Sequence, residues 1–172
     1  REGYRNTYVG DSAGTDNSNG HHNTYVGQAA GAGDEYSSFN TFVGSRAGYD
    51  NNRTNVVGGE NGNTYVGYEA GSTNRTGTGH TGMGAFADFG STVRERGTFF
   101  GYSAYINANE VTSFGYDTYV NANGAMAIGY GADVRGVYTI GIGYAADIEA
   151  TADNSVAIGR NVDLDNNQTI AI

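Results

Sequence analysis

Short segments in which apolar and polar positions alternate recur along the whole chain, and each of them ends at a glycine. Asn6-Thr7-Tyr8-Val9-Gly10 returns as residues 23–27, as Asn40-Thr41-Phe42-Val43-Gly44 and as residues 63–67. Alternation with a period of two is typical of a β-strand, so each copy predicts one short strand. Weaker copies end at Gly58, Gly84, Gly101, Gly115, Gly129, Gly143 and Gly159.

The spacing of these glycines predicts a coil of stacked strands. Successive glycines lie 17, 17, 14, 9, 17, 17, 14, 14, 14 and 16 residues apart. A strand that returns at so short an interval predicts a β-solenoid, in which parallel strands stack about 4.8 Å apart. We expect each glycine to turn a corner with a positive φ angle. The chain is therefore predicted to be all-β.

The whole sequence forms one continuous repeat array in this interpretation. Residues 1–96 carry mostly 17-residue rungs with longer loops, and residues 97–172 carry mostly 14-residue rungs. The last copy stops at Ile172, and the next glycine would fall at the very next position at the 14-residue step. We therefore expect residues 1–172 to be a fragment of a longer fibre.

The two faces of each strand differ in composition. The places one and three before the glycine hold only threonine or apolar residues, from Thr7 and Val9 to Val156 and Ile158. This uniformity predicts that they point into the coil. The place two before the glycine is predicted to face outward. It is aromatic in early copies and small in late ones: Tyr8, Tyr25, Phe42, Tyr65, Phe99, Ser113, Ala127, Gly141 and Ala157.

The amino-acid composition argues against several classes of binding partner and of chemistry. The 172 residues include 29 glycines, no cysteine and no proline, and 9 Lys plus Arg against 18 Asp plus Glu give a net charge of −9. Nucleic acid and anionic membrane surfaces attract clustered cations, so neither is an expected partner. The absence of cysteine excludes disulfides, thiolate catalysis and cysteine-bound zinc. No stretch is long and apolar enough for a membrane span.

A coil of 14 residues per rung buries too few side chains for a single chain to be stable. The few side chains that one rung buries stabilise it by less than the conformational entropy that ordering its residues costs. Backbone hydrogen bonds between rungs close part of this gap. A partner chain closes more of it, so we predict a homotrimer that packs along the strand face not used inside the coil.

The late copies resemble a known repeat. Asn154-Ser155-Val156-Ala157-Ile158-Gly159 and Ala125-Met126-Ala127-Ile128-Gly129 are similar to the 14-residue head repeat of YadA-like trimeric autotransporter adhesins, and the likeness covers residues 97–172. It implies a left-handed parallel β-roll, three chains side by side and attachment to surfaces. The early NT[YF]VGxxAG copies resemble repeats of tail-fibre-type proteins, a likeness that implies trimers that recognise cell surfaces.

Several residue types recur at equivalent positions of the repeat or form short motifs. Each of them suggests a function but also has a purely structural explanation. Asn6, Asn23, Asn40 and Asn63 are predicted to hydrogen-bond along the stack. A regular array of exposed threonines can order water at an ice surface, but the threonines here are predicted to point inward. His21, His22 and His80 are read as ordinary loop residues, because adjacent histidines point to opposite sides of an extended chain. The spacing Asp163-x-Asp165-x-Asn167 lacks the glycine and glutamate of a calcium loop.

Catalysis has little support in the sequence. There is no Gly-x-Ser-x-Gly motif, no phosphate-binding loop and no histidine with an orienting acid at a familiar spacing. The acidic clusters Asp34-Glu35 and Asp147/Glu149 are predicted to be solvated turn charges. We expect no enzyme activity, no metal and no cofactor.

Longer connections in the first half are the better candidates for recognition. Tyrosine and arginine are enriched where protein surfaces bind partners. Residues 1–96 hold 7 of the 9 arginines and carry a net charge of −3, against −6 for residues 97–172. The triplets Asn52-Arg53-Thr54 and Asn74-Arg75-Thr76 repeat on two of these connections. The candidate ligand-binding residues are Tyr36, Tyr49, Arg53, Arg75, Arg94 and Arg96.

Together these features predict a non-enzymatic segment of a trimeric surface fibre that adheres to a target-cell glycan, protein or matrix. Three weak sites on such a fibre act together through avidity. The expected location is extracellular, at the cell surface or on a phage-like fibre. One alternative is a purely structural shaft, and a less favoured one is a tail-fibre or spike segment that cleaves polysaccharide.

Overall fold

A computed structural model shows the chain as a parallel β-solenoid and describes residues 3–51, 61–90 and 95–172. Two sheets run along the coil, one of eleven strands and one of six, and every strand pair is parallel. The described residues contain no helix. The all-β solenoid predicted from the glycine spacing is thereby confirmed.

The strands are two or three residues long. The long sheet contains β1 Thr7–Val9, β2 Thr24–Val26, β3 Thr41–Val43, β4 Thr64–Val66, β5 Thr81–Met83, β7 Thr98–Phe100, β9 Thr112–Phe114, β11 Met126–Ile128, β13 Ile140–Ile142, β15 Val156–Ile158 and β17 Ile170–Ala171. The short sheet contains β6 Asp88–Phe89, β8 Tyr105–Ile106, β10 Tyr119–Val120, β12 Asp133–Val134, β14 Asp147–Ile148 and β16 Asp163–Leu164.

Strand pairing differs from the glycine count at one place. Strand β3 pairs directly with β4, with Thr41 opposite Thr64. The backbone N–H of Asn63 likewise bonds to Asn40, 23 residues earlier. In the described strands, β3 and β4 are therefore separated by a single step of 23 residues, where the glycine count predicted steps of 14 and 9. Gly58 itself lies outside the described residues.

The predicted orientation of the strand faces is wrong. The middle residue of each strand in the long sheet points inward, and Tyr25, Phe42 and Ala127 are completely buried. The flanking residues face outward, so that 56% of Val9 and 38% of Ile158 are exposed. Threonine and valine both fit either face of a strand. The residues on the other side of the same rung decide which face is inside, because they set how much space the coil leaves for the strand's side chains.

The interior is filled in two different ways. In the early rungs an aromatic ring from the long sheet lies over a glycine four places after the corner; a Cβ on Gly48 would sit 2.5 Å from Phe42, and one on Gly71 would sit 2.5 Å from Tyr65. In the late rungs the long sheet supplies small residues, and the short sheet supplies the bulk. Its buried side chains are Phe89, Ile106, Val120, Val134, Ile148 and Leu164.

The corner glycines have the positive φ angles predicted for them. Their φ values run from 128° at Gly84 to 142° at Gly143. A Cβ on Gly129 would lie 2.0 Å from the carbonyl oxygen of Gly143 in the next rung, so the stack also demands glycine sterically. Other corners use non-glycine residues in the left-handed region, such as Arg46 at φ 57° and Phe39 at φ 64°.

The asparagine column bonds along the stack, as predicted. Each side-chain Oδ1 accepts the backbone N–H of the next member, from Asn6 through Asn23 and Asn40 to Asn63, over 2.8–2.9 Å. His80 then takes the asparagine place: its N–H donates to Asn63, and its Nδ1 accepts the N–H of Gly97 over 3.2 Å. His80 is thus a buried member of this column rather than a loop residue.

Candidate functional site

A notch in the surface is the clearest concave feature of the described residues. Its volume is about 470 Å³, and it spans the connections that follow β1, β2 and β3. The middle connection contributes Gln28 and three small residues, Ala29, Ala32 and Gly33. The same places hold Ser12, Thr15 and Asp16 one rung earlier, and Arg46, Tyr49 and Asp50 one rung later. The notch exists because one rung of small side chains lies between two rungs of larger ones.

Tyr49 and Arg46 form one wall of the notch. The guanidinium carbon of Arg46 lies 4.9 Å from the centre of the Tyr49 ring, which is within cation–π range. Arg46 also pairs with Glu69 over 3.3 Å. These contacts hold the arginine against the ring. The wall therefore presents an aromatic surface whose position is set by two neighbours.

Backbone hydrogen bonds between rungs hold the floor and walls together. The N–H of Gly33 donates to the carbonyl of Tyr49 over 2.7 Å, and the N–H of Asp16 donates to the carbonyl of Ala32 over 3.1 Å. A Cβ at Gly33 would lie 3.3 Å from Oδ1 of Asp50, so that carboxylate reaches over the floor. The site is built on the stacked scaffold and not on a free loop.

The lining of the notch is polar and carries an excess of negative charge. Asp16 and Asp50 supply carboxylates, Ser12 and Thr15 supply hydroxyls, and Gln28 supplies an amide. Among the described residues that line the notch, the one cation is Arg46, and it is paired with Glu69 outside the notch. Such a lining can accept and donate several hydrogen bonds next to an aromatic ring, which is the make-up of a small-molecule site.

The predicted site residues do not form one cluster. Tyr49 lines the notch, whereas Tyr36, Arg75 and Arg96 do not. Tyr36 is half-buried and Arg75 is exposed. Arg96 pairs with Glu95 over 3.1 Å and with Glu110 over 2.5 Å. Arg53 and Arg94 lie outside the described residues.

Three residues of the notch escaped the sequence reasoning: Arg46, Asp16 and Asp50. Each looks like ordinary turn filler when its own repeat is read alone. The available signal was a comparison of equivalent places in successive repeats, where Ala29-Ala30-Gly31-Ala32-Gly33 stands out as a run of small residues. That comparison needs the strand pairing, because it must identify which rungs are neighbours.

Asp34 is buried and not a solvated turn charge, so that prediction is wrong. Its carboxylate accepts hydrogen bonds from the hydroxyls of Tyr25 and Ser37. Burial raises the pKa of Asp34 to about 6, and the hydrogen bonds from Ser37 and Tyr25 lower it in part. Because the group is completely buried, we assign it to the core.

A chain of buried amides continues from this carboxylate through the first half of the core. Asn40 and Asn51 each donate to the Ser37 hydroxyl over 2.9 Å. Asn63 and Asn74 then donate to Oδ1 of Asn51 over 3.0 and 2.9 Å. Buried polar groups of this kind stabilise a fold only when they have partners, which these have.

The adjacent histidines do not point to opposite sides. Nδ1 of His21 lies 2.9 Å from Nδ1 of His22, because His22 has a φ of 58° and turns the chain at that point. The rings pack among Tyr4 and Phe39, with His22 stacked on Phe39 at 5.1 Å. Within the described ranges, no group of three or more His, Asp or Glu side chains could hold a metal ion.

Two exposed columns run along the outside of the coil. Tyr102, Tyr116, Tyr130 and Tyr144 stack at 5.0–5.3 Å, and Arg160 lies over the last ring at 5.3 Å. The threonine column of the long sheet also lies on the outward face, contrary to prediction; its first two members are exposed and the others are half-buried. It consists of Thr7, Thr24, Thr41, Thr64, Thr81, Thr98 and Thr112.

Comparison of the chain with known protein families, with curated proteins and with solved structures finds no match. No helix long and apolar enough to cross a membrane occurs in the part of the chain that the structure describes.

Proposed function

We propose that the chain is a segment of an extracellular, non-enzymatic trimeric fibre that attaches its bearer to a target cell, glycan or matrix. The observation that carries this proposal is the outward face of the long sheet. It holds a continuous column of apolar side chains, and Val9, Val43, Met83, Phe114 and Ile158 are each more than a third exposed. Contiguous apolar surface of this kind marks an interaction site.

The shape of the apolar face supports three parallel copies. The face is a straight, narrow strip along the stack, so partners that run alongside the same strip cover it best. A closed rotation axis parallel to the stack makes the same surface of each copy meet the next. The left-handed sense of the coil and the relationship to YadA-like heads, both implied by the sequence resemblance, are part of the proposal.

Recognition is assigned to the first half of the array. The notch lies there, and so do most arginines of the chain. The second half presents regular short rungs with the tyrosine column, which suits a uniform shaft. Repetition of a weak site on three chains raises the effective affinity for a multivalent surface without any new contact.

A cell-binding experiment with the full chain tests this assignment. Labelled wild-type chain is compared on target cells with Tyr49→Ala, which alters the notch, and with Tyr116→Ala, which alters the tyrosine column. We expect loss of binding in the first variant only. Loss in the second variant only would move recognition to the shaft, and a wild-type chain that binds no cell or glycan would favour a structural spacer. Release of reducing sugar would favour the enzyme alternative.

A second candidate function rests on the outward threonines. They occupy equivalent places in successive strands of the long sheet from β1 to β9 and lie beside the apolar column. Exposed threonine arrays can order water, so this face could bind ice in a monomer. The two functions compete for one face, because a trimer would cover it. Thermal hysteresis from a monomeric chain would favour ice binding.

A further inference from the structure

We propose that the notch between the first three rungs binds one uncharged pyranose unit of a glycan, with Tyr49 as the apolar platform and Asp16 and Asp50 as hydroxyl acceptors. This inference rests on the proposed adhesive function and adds the ligand class and the site.

Size and position support a small ligand. The volume of about 470 Å³ falls within the range of about 300–1,000 Å³ typical of small-molecule sites. The notch is one rung wide, since Ala29, Ala32 and Gly33 stand where the neighbouring rungs carry Ser12, Thr15 and Asp16 and Arg46, Tyr49 and Asp50. Its walls are fixed by the hydrogen bonds of Gly33 to Tyr49 and of Asp16 to Ala32. A rigid wall of this kind lowers the entropy cost of binding.

The chemistry of the lining fits a sugar. A pyranose has a C–H face that packs against an aromatic ring and hydroxyls at its edge. The Tyr49 ring supplies the apolar surface, and Arg46 keeps that ring in place. Asp16 and Asp50 accept hydroxyl hydrogen bonds, and such bonds to a charged acceptor are stronger than neutral ones. Ser12, Thr15 and Gln28 add further donors and acceptors.

Charge excludes an acidic sugar. Two carboxylates line the notch, and the guanidinium of Arg46 is paired with Glu69 over 3.3 Å. A carboxylated or sulfated sugar would be repelled by the Asp16 carboxylate, while the guanidinium of Arg46 is already engaged by Glu69. The ligand is therefore a neutral hexose unit.

The test uses saturation-transfer NMR on the full 172-residue chain. The probes are the methyl glycosides of glucose, galactose and mannose, with methyl glucuronide as the acidic probe. The key variant is Ala32→Tyr, which fills the notch with the residue that the next rung carries as Tyr49 at the same place. The fold therefore tolerates the new side chain there. Tyr49→Ala removes the platform, and Tyr116→Ala is the matched control outside the notch.

We expect millimolar binding of at least one neutral glycoside, at least tenfold weaker with Ala32→Tyr and with Tyr49→Ala, and unchanged with Tyr116→Ala. The proposal is overturned if no neutral glycoside binds, if Ala32→Tyr leaves binding intact, or if methyl glucuronide binds as well as the neutral probes. Melting curves confirm that each variant is folded. Cell adhesion by the wild-type chain without any glycoside binding would refute the sugar site but support the proposed adhesive function. Glycoside binding without cell adhesion would support the sugar site and refute the proposed function.

Discussion

Gly48 lies directly beneath the ring of Phe42, so close that a Cβ at Gly48 would sit 2.5 Å from the ring. Phe42 is completely buried, and its ring stacks between those of Tyr25 and Tyr65 at 4.7 and 5.2 Å. The Ala-Gly pair of the early repeats therefore has a packing role. It makes room for the aromatic ring that fills each wide rung.

This relationship predicts an energetic coupling between the two residues. Gly48→Ala should lower the free energy of unfolding by about 3 kcal/mol, because a methyl group would overlap the ring and the φ of 60° is unfavourable for alanine. Phe42→Ala alone should cost about 3–5 kcal/mol through the cavity it leaves. In the double variant the overlap is gone, so the cost should be at least about 1 kcal/mol below the sum. Chemical denaturation of the four chains measures the coupling, and strict additivity would contradict the packing role.

The corner glycines offer a test within one rung. Gly129 and Gly131 both have positive φ values, 136° and 59°. A Cβ at Gly129 would lie 2.0 Å from a carbonyl oxygen of the next rung, whereas at Gly131 nothing lies within 4 Å. Gly129→Ala should therefore cost about 3 kcal/mol or more, and Gly131→Ala about 1 kcal/mol. Thermal melts of the two variants compare them directly, and equal destabilisation would argue against rung contact as the cause.

Asp34 predicts a dependence of stability on pH. Burial raises the pKa of its carboxyl from 3.8 to about 6 in the folded chain. Between these values the folded state holds the proton more tightly than the unfolded state, so the free energy of unfolding falls as the pH rises from 3.8 to about 6. A shift of two pKa units corresponds to roughly 3 kcal/mol.

Asp34→Asn should remove this contribution, because an amide can keep the hydrogen bonds to Tyr25 and Ser37 without a charge. The variant should lose less stability than wild type between pH 4 and pH 7, by roughly 3 kcal/mol. Burial also raises the pKa of Asp88 to about 6, so part of the slope should remain. Denaturation at a series of pH values measures how the free energy of unfolding changes with pH. The control for the loss of one negative charge is Asp11→Asn, at an exposed position. An unchanged slope would contradict the prediction.

Assembly through the long sheet predicts a trimer that one charge can disrupt. Sedimentation should show a particle of three times 18.0 kDa. Ile128→Asp places a carboxylate on the outward apolar column and should shift the chain toward monomer, because an unpaired buried charge is costly. Ala145→Asp is the matched control, since Asp117 occupies the equivalent place two rungs earlier. A folded wild-type monomer at micromolar concentration would refute the trimer.

The sequence by itself determined the repeat, the strands of the long sheet and the corner glycines, but not the six strands of the short sheet. These features depend on local chemistry. Three residues that alternate between two faces form a strand, and the spacing between copies places each strand beside the next. Glycine tolerates the φ of about 136° at Gly44 and Gly129. The bonded asparagine column followed from the same reasoning, because Asn6, Asn23 and Asn40 recur at the stacking interval.

Only the tertiary structure decided which face of each strand is inside. Thr-Tyr-Val alternates equally well in either orientation, and a period of two does not say which side meets the core. The answer depends on what fills the rest of the rung: Gly48 leaves space for Phe42, and Ile148 fills the space beside Gly141. These partners lie several residues away on another side of the coil.

The notch, the buried Asp34 and the paired histidines also came from the tertiary structure alone. The notch depends on residues from three turns, Asp34 on residues from another side of its own turn, and the histidine pair on the φ of 58° at His22. Asp34 is buried because Tyr25 and Ser37 enclose it, and the notch is open because Ala32 lies between Thr15 and Tyr49. Stacking brings side chains that are 17 or more residues apart in sequence within a few ångströms of each other. The sequence of one repeat does not show which side chains of the neighbouring repeats it contacts.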